Sequence, residues 1–358
     1  MIWLGRVAHG RDNNFNLIRF IAALGVLVSH AWPIALGPGT AEPLEALTGH
    51  SLGGLAVYVF FATSGYFIAA SFARSNSATV FLRARALRLF PGLAVSLLLV
   101  GFGIGLWVTS LPAGDYLSHR QTWSFVLRNL TLASPQYTLP GVFAQNPYTT
   151  VEGSIWTLFH EVLCYGLVFL AGIAGILRNR RAMTLALIFY GLLWLLPVFL
   201  PHALPARLMQ TRELSLPFVL GIGFWVWRDY LPLSTLAALG LLGLSALAKD
   251  SPLGFPLLIL AVSYATFCCA YVPKGRIRAF NRLGDYSYGI YIYAFPLQGL
   301  VVWLAGPQSP LTNILLALPL TLLCAVLSWH LIEAPALAFG KAKDGVKAAE
   351  APRSAPHW

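Results

Sequence analysis

Charged residues are scarce in this chain. Asp, Glu, Lys and Arg make up 10% of the 358 residues, and 13 acidic residues stand against 24 basic ones, for a net charge of +11. Hydrophobic residues account for 57%, and the mean hydropathy is +0.69. A soluble domain of this length does not cover its surface with so few charges. The composition excludes a soluble protein and predicts a polytopic membrane protein.

Cysteine is also scarce, and no segment has the spacing of a metal site. All four cysteines fall within apolar runs: Cys164, Cys268, Cys269 and Cys324. This pattern excludes a disulfide framework and a cysteine-based metal centre. We therefore expect no metal and no tightly bound cofactor. The basic excess needs no nucleic acid, because positive residues are favoured at the inner edge of a membrane and beside anionic lipid headgroups.

The apolar runs are near 20 residues long, which suits helices that cross about 30 Å of hydrocarbon. We predict an all-α bundle of about ten spans in one transmembrane domain, residues 17–336. The polar segment 1–16 lacks the features of a cleaved signal peptide, and the Ala/Lys-rich segment 337–358 is predicted to be disordered. The predicted spans are 17–36, 53–73, 89–110, 154–177, 182–200, 213–230, 232–248, 252–272, 285–305 and 311–336.

The basic residues set the orientation of these spans. With the N-terminus inside, nineteen of the 24 Lys and Arg residues fall in inner segments. This bias follows the positive-inside rule and predicts that both termini are cytoplasmic.

Arg19 and His30 lie in the first apolar run, where a lipid-facing helix avoids ionisable side chains. Eleven residues at about 100° each place both on one helix face, about 16 Å apart along the axis. An ionisable residue within a span is a candidate for function. Arg19 also fits simple snorkelling to headgroups, and His30 also fits an interhelical hydrogen bond.

Glu161 is a second candidate acid–base group, in the fourth span. Counted from the outer end of that span, it lies at about the depth of His30. A carboxylate there would orient His30 and stabilise its imidazolium form, as a general base requires. A purely structural role also fits, and the neighbouring His160 competes because only one of two consecutive helical residues faces the interior fully.

A cluster of arginines precedes the third span. Arg83, Arg85 and Arg88 lie at its cytoplasmic end, and guanidinium groups recognise phosphates well. Such residues are also ordinary topology signals. Ser64 and Gly65 in the second span are small and allow either close helix contact or room for a ligand.

The outer loop 111–153 is too long for a plain connection. It contains a short amphipathic stretch around Trp123 and Phe125. This stretch fits an interfacial or re-entrant element that handles an outside acceptor, and equally a surface loop with an aromatic anchor.

Six segments in order resemble one family across nearly the whole chain: NNFNLIRFIAALGVLVSH, FFATSGYFI, FLRARALRLFP, SIWTLFHEVLCY, LGDYSYGIYIY and IEAP at 332–335. They resemble the acyltransferase-3 family of bacterial membrane O-acyltransferases, whose signature is an Arg and a His separated by ten residues. Arg19 and His30 match it. Asn16 departs from the usual Asp, and Ala294 and Phe295 stand where many relatives carry a His before the Pro of the ninth span.

This resemblance implies an O-acetyltransferase in the bacterial cytoplasmic membrane. The expected donor substrate is acetyl-CoA or another acyl-CoA. The expected acceptor is a hydroxyl of a surface carbohydrate, such as lipopolysaccharide or exopolysaccharide, or of a lipid-linked precursor. It implies that Arg19 and His30 are essential, that Arg85 and Arg88 belong to the acyl-CoA region, and that Glu161 matches an intramembrane Glu of the family.

We therefore expect Arg83, Arg85 and Arg88 to hold the phosphates of acyl-CoA and His30, oriented by Glu161, to deprotonate the acceptor hydroxyl. An acyl-His30 intermediate uses the same residues. The main alternative is a transporter or flippase with a proton or substrate pathway through Arg19, His30 and Glu161. No internal repeat favours that alternative. The acceptor sugar and the oligomeric state are not readable from the sequence.

Overall fold

The computed structural model describes residues 2–8, 10, 12–74, 77–199 and 204–349, and it is a bundle of long helices. The strands in this part of the chain are one antiparallel pair of two residues each, β1 (Ile2–Trp3) and β2 (Pro232–Leu233). The predicted all-α architecture is confirmed.

Ten long helices follow the predicted order of spans. They are α1 (Phe15–Leu36), α2 (Leu52–Arg74), α3 (Ala78–Leu98, continued by a π-helical turn to Val108), α4 (Trp156–Ile173), α5 (Arg180–Phe199), α6 (Ala206–Val226), α7 (Thr235–Leu247), α8 (Gly254–Tyr271), α9 (Ser287–Ala305) and α10 (Pro310–Ser328, continued by a π-helical turn and Ala334–Ala349). Short helices occupy Leu4–Val7, Pro43–Thr48, Ala113–Ser118, Ile176–Arg178, Arg228–Tyr230 and Arg276–Arg282.

Eight of the helices in the described part of the chain are long and apolar enough to cross a membrane. The other two are α6 and α7, which correspond to the predicted spans 213–230 and 232–248. Helix α6 carries Arg207, Arg212 and Glu213 in its first half. Helix α7 has only 13 residues and spans less than the hydrocarbon thickness on its own.

Glycine allows α2 and α6 to cross at backbone contact. A Cβ atom added at Gly65 would lie 1.9 Å from the carbonyl oxygen of Phe218, and one added at Gly221 would lie 2.0 Å from that of Ala62. Small residues hold transmembrane helices together in this way. Gly65 therefore serves close helix contact, which was one of its two predicted roles.

Helix α9 lies at the centre of the bundle and packs against α1 and α10. Helix α9 is the most buried of the candidate spans. The Gln298 side chain donates from Nε2 to the Leu27 carbonyl (2.9 Å) and to Oδ1 of Asn313 (3.0 Å), which ties α9 to α1 and α10. These buried hydrogen bonds fix the register of the helices that carry Arg19, His30 and Ser287.

The outer loop contains an amphipathic helix and a buried irregular segment. The helix, Arg120–Thr131, buries Phe125 against α3 and leaves Trp123 56% exposed. The chain then enters the outer end of the bundle, where Phe143 is buried and packs against Gly299 of α9. This segment, residues 137–155, covers the outer end of the interior.

Helix α10 continues to Ala349, into the segment 337–358 that the sequence analysis predicts to be disordered. Alanine and lysine are strong helix formers, and this segment extends an existing helix, so no new nucleation is needed. Residues 350–358 of the predicted tail lie outside the described part of the chain.

Candidate active site

A partly open cavity lies between α1, α2, α3, α4 and α9, and its empty volume of about 730 Å³ includes the space at its mouth. Five predicted site residues contribute to its wall: Arg19, Ser64, Arg85, Arg88 and Glu161. The wall also contains Tyr165, Tyr288 and Tyr291, so it is polar and aromatic at once.

The cavity lies in the half of the bundle that the charge pattern assigns to the cytoplasm. Arg19 is near the first turn of α1, and Ser287 is the first residue of α9. Helix α2 runs in the opposite direction, from the outer side inward. Among its residues in the cavity wall, Val57 lies nearest the outer side. The cavity therefore extends from the inner helix ends toward the middle of the bundle.

Asp285 joins two of the predicted arginines. Its Oδ2 lies 2.5 Å from Nη2 of Arg88 and 3.5 Å from Nε of Arg19, and its Oδ1 accepts a hydrogen bond from the Ser287 hydroxyl (2.5 Å). Burial alone would raise the pKa of Asp285, but the two guanidinium groups outweigh it and hold that pKa well below its usual value. Asp285 is therefore a carboxylate that fixes both arginines.

Glu333 completes this network from α10. It is 1% exposed, lies 3.4 Å from Nη1 of Arg88 and accepts a hydrogen bond from Ser328 (2.9 Å). The residue belongs to a π-helical turn, a local feature that is frequent at functional sites. Arg88 thus binds two carboxylates, which limits its availability for a ligand phosphate.

Arg85 differs from Arg88 although both line the cavity. Its Nε is buried and has no hydrogen-bond partner within the described residues. A buried donor of this kind is costly unless a ligand satisfies it. Among the residues that the structure describes, Arg83 does not contribute to the cavity wall.

Glu161 is held in the cavity wall by two hydroxyl groups. Ser64 Oγ donates to Oε1 (3.1 Å), and so does the hydroxyl of Tyr165, one turn further along α4. His160 points elsewhere: its Nδ1 pairs with the Thr211 hydroxyl of α6 (2.9 Å). Of these two consecutive residues, Glu161 faces the cavity.

The structure does not show the predicted pairing of Glu161 with His30. In the described part of the chain no hydrogen bond or ion pair joins them, and the lining of the cavity lacks His30. The depth estimate assumed that the fourth span begins at the outer membrane edge. Helix α4 instead begins at Trp156, after the irregular segment 137–155 has occupied the outer end of the bundle, so Glu161 lies deeper than its position in the sequence suggests.

His30 lies further out on α1. Its ring meets that of Phe295 edge to face, with 5.1 Å between centroids. Its Nδ1 is buried, and the described residues offer it no hydrogen bond. Phe295 follows Tyr291 of the cavity wall by one helical turn, so His30 lies just beyond the outer end of the cavity.

The sequence analysis does not identify three residues of the site: Asp285, Glu333 and Tyr165. The signal was present, since Asp285 lies in LGDYSYGIYIY and Glu333 in IEAP, both of which carry the family resemblance. Because Asp285 and Glu333 lie at the ends of apolar runs, they resemble ordinary charges at the membrane interface. Only the packing of α9 and α10 against α3 reveals that they pair with Arg88.

Comparisons with known proteins agree with this architecture. The model of the acyltransferase domain family Acyl_transf_3 matches residues 12–330. The chain is similar to an O-acetyl transferase from Shigella phage Sf6, with 30% identity over 90% of this chain and 95% of the relative. It is also similar to nodulation protein 10 of Rhizobium leguminosarum bv. viciae, with 33% identity over 44% of this chain and 43% of the relative.

No solved structure matches the chain. The family match covers α1 to α9 and residues 310–330 of α10, and therefore every residue of the cavity wall. The candidate membrane-spanning helices and the family match over residues 12–330 lead to the same assignment. The chain belongs to the acyltransferase-3 family and is a multi-pass membrane O-acyltransferase.

Proposed function

We propose that this enzyme transfers an acetyl group from cytoplasmic acetyl-CoA to a hydroxyl of a cell-surface carbohydrate or its lipid-linked precursor. The acetyl group is supported by the name of the phage relative, which covers nearly the whole chain. The cytoplasmic membrane of a bacterium is the proposed location, because acetyl-CoA is cytoplasmic and the predicted inner edge carries most of the basic residues.

The observation that carries the donor assignment is the cation-rich cavity at the inner side of the bundle. In this proposal the pantetheine arm enters the cavity and the phosphates remain at its cytoplasmic mouth. Arg85 donates from its free Nε to a carbonyl of the arm, and Glu161 accepts from an amide N–H. Arg19 and Arg88 are fixed by Asp285, so Arg85 is the arginine of the cavity wall that this proposal assigns to the donor.

His30 is the proposed general base. Its Nε2 takes the proton of the acceptor hydroxyl as the oxygen attacks the thioester carbon, the C–S bond breaks, and the proton passes to the CoA thiolate. Its place beyond the outer end of the cavity suits a group that meets the thioester from one side and the acceptor from the other. In the two-step form of the reaction, His30 itself accepts the acetyl group before the hydroxyl does.

The test uses purified protein in lipid nanodiscs with radiolabelled acetyl-CoA. Carbohydrate extracted from the cell envelope of the producing bacterium and octyl glucoside serve as acceptors. We expect CoA release together with label in the carbohydrate. CoA release without labelled carbohydrate would reject the acceptor class, and absence of both would reject acetyl-CoA as donor.

Arg85 gives a direct test of the donor site. We expect Arg85→Ala to weaken acetyl-CoA binding by roughly tenfold or more, because a charge-assisted hydrogen bond is worth about 1.5–3 kcal/mol. Arg85→Lys should restore binding only in part, since an ammonium group lacks the planar fork of arginine. Isothermal titration with acetyl-CoA measures both. Arg276→Ala, an exposed arginine elsewhere, is the matched control; equal affinity of Arg85→Ala and the control would reject the assignment.

A further inference from the structure

Glu152 is a buried carboxyl group that the proposed reaction does not yet use. It precedes α4, at the end of the outer loop, and is 1% exposed. Its Oε1 accepts hydrogen bonds from the Ser154 backbone N–H (3.2 Å) and hydroxyl (2.6 Å). Its Oε2 is buried and unpartnered as far as the structure describes the chain. A buried acidic oxygen in this state is costly and requires an explanation.

Gly153, the residue after Glu152, and His30 contact the same aromatic ring. Gly153 packs so closely on Phe295 that an added Cβ atom would lie 2.5 Å from two of its ring carbons. The His30 ring contacts the same Phe295 ring edge to face. His30, whose Nδ1 lacks a partner among the described residues, therefore contacts the same ring as the immediate chain neighbour of Glu152, whose Oε2 also lacks one.

This corner connects with the cavity through Tyr291. The Tyr291 hydroxyl donates to the Ser154 carbonyl (2.5 Å) and pairs with the hydroxyl of Thr157 (2.5 Å), and both Tyr291 and Thr157 line the cavity. Glu152 is therefore held in a fixed position next to the outer end of the donor cavity. Glu161 cannot fill the same place, because Ser64 and Tyr165 hold it in the cavity wall.

We propose that Glu152 is the positioning residue of His30: its Oε2 accepts the Nδ1–H of His30, through one water molecule in the free protein and directly when substrates are bound. The inference rests on the proposed function of His30 as general base. With the proton fixed on Nδ1, Nε2 carries the lone pair that removes the acceptor proton, and the carboxylate stabilises the resulting imidazolium. Catalytic hydrogen bonds often form fully only in the substrate complex.

The pairing implies a pH dependence. Burial raises the pKa of Glu152 to about 8, although its hydrogen bonds to Ser154 favour ionisation. The ionised form accepts Nδ1–H more strongly and stabilises the imidazolium, so the rate should rise as the pH rises through this range. Among the described residues, the titratable groups that face this corner are His30 from α1, Tyr291 from α9 and Tyr148 from the loop, and Glu161 of α4 lies in the cavity wall.

The first test is a set of variants assayed by CoA release in nanodiscs with octyl glucoside. We expect Glu152→Gln to lower kcat roughly 10²-fold, within the range of a general base, with KM for acetyl-CoA unchanged and the rise toward pH 8 absent. Glu152→Asp should recover part of kcat. Glu42→Gln is the matched control, because Glu42 is also buried on the outer side but binds the backbone of Leu52. In a His30→Ala background, Glu152→Gln should have no further effect.

A second measurement does not depend on acyl transfer. ¹⁵N NMR of histidine-labelled protein in nanodiscs, with the His30 signals assigned by their loss in His30→Ala, reports which ring nitrogen carries the proton. We expect a protonated Nδ1 in the wild type and its loss in Glu152→Leu, which has no acceptor.

Wild-type kcat in Glu152→Gln, an additive loss in the His30→Ala background, or an unchanged Nδ1 signal in Glu152→Leu would overturn the pairing. Absence of transfer by the wild type would reject the proposed function instead, and the NMR result would still decide the pairing.

Discussion

The His30→Ala variant is expected to lose roughly 10²- to 10⁴-fold of the acyl transfer rate while the protein still folds and inserts. The loss of rate follows because no other imidazole lies beside the outer end of the cavity in the described residues. Folding should survive because His30 Nδ1 makes no hydrogen bond within the described chain that the substitution would break. Radiolabelled acetyl transfer and the elution profile on size-exclusion chromatography measure the two effects.

His160→Ala is the control for that variant. His160 is also a buried histidine of the bundle, but it pairs with Thr211 and faces α6. We expect its transfer rate to stay within a few-fold of the wild type, with some loss of thermal stability. A His30→Ala protein with near-wild-type activity, or a His160→Ala protein that is inactive although folded, would show that the wrong histidine carries the reaction.

The Arg88→Leu variant is expected to have the largest effect on stability. It leaves Glu333 buried without its cation and Asp285 with Arg19 alone. Removal of one partner of a buried ion pair costs about 3–5 kcal/mol, because the remaining charge is uncompensated. We expect low yields of monodisperse protein and a clearly lower melting temperature in a fluorescence-based thermal assay.

Two variants test the physical cause of that loss. Arg88→Leu combined with Glu333→Gln should regain part of the stability, since the substitution removes the uncompensated charge. Arg276→Ala, at an exposed arginine, should behave as the wild type. If Arg88→Leu is as stable as Arg276→Ala, or if the second substitution makes it worse, the charge network does not hold α3, α9 and α10 together.

The sequence predicts the helices well because a membrane span must be a long apolar run with its backbone hydrogen bonds satisfied internally. Prediction from the sequence is less direct for two helices that depart from this pattern. Helix α6 begins with Arg207, Arg212 and Glu213, and α7 is short, so neither satisfies a simple criterion of length and composition. Both nevertheless occupy the predicted places in the order of helices.

The sequence predicts which residues form much of the candidate site, but it does not predict how they are arranged. Arg19, Arg85, Arg88, Ser64 and Glu161 converge on one cavity, as their types and positions suggested. The partner of His30 was not predictable, because residue counting along a span assumes a regular helix to the membrane edge. The irregular segment before α4 breaks that assumption: it displaces Glu161 inward and brings Glu152, a residue of a supposed surface loop, into the bundle.

The central claim is that donor and acceptor reach the reaction centre from opposite faces of the membrane. The arginines and Asp285 lie at the inner helix ends, whereas His30 and the buried loop segment lie toward the outer end. Arg85 variants that weaken acetyl-CoA binding should therefore leave acceptor binding almost unchanged.

Sealed proteoliposomes of known orientation test this claim most directly. Radiolabelled acetyl-CoA is confined to the side of the N-terminus, and a membrane-impermeant carbohydrate acceptor is confined to the opposite side. We expect label in the acceptor, with none when the two substrates exchange sides. Labelling that occurs only when both substrates share the side of the N-terminus would contradict the claim and would assign the reaction to precursors before export.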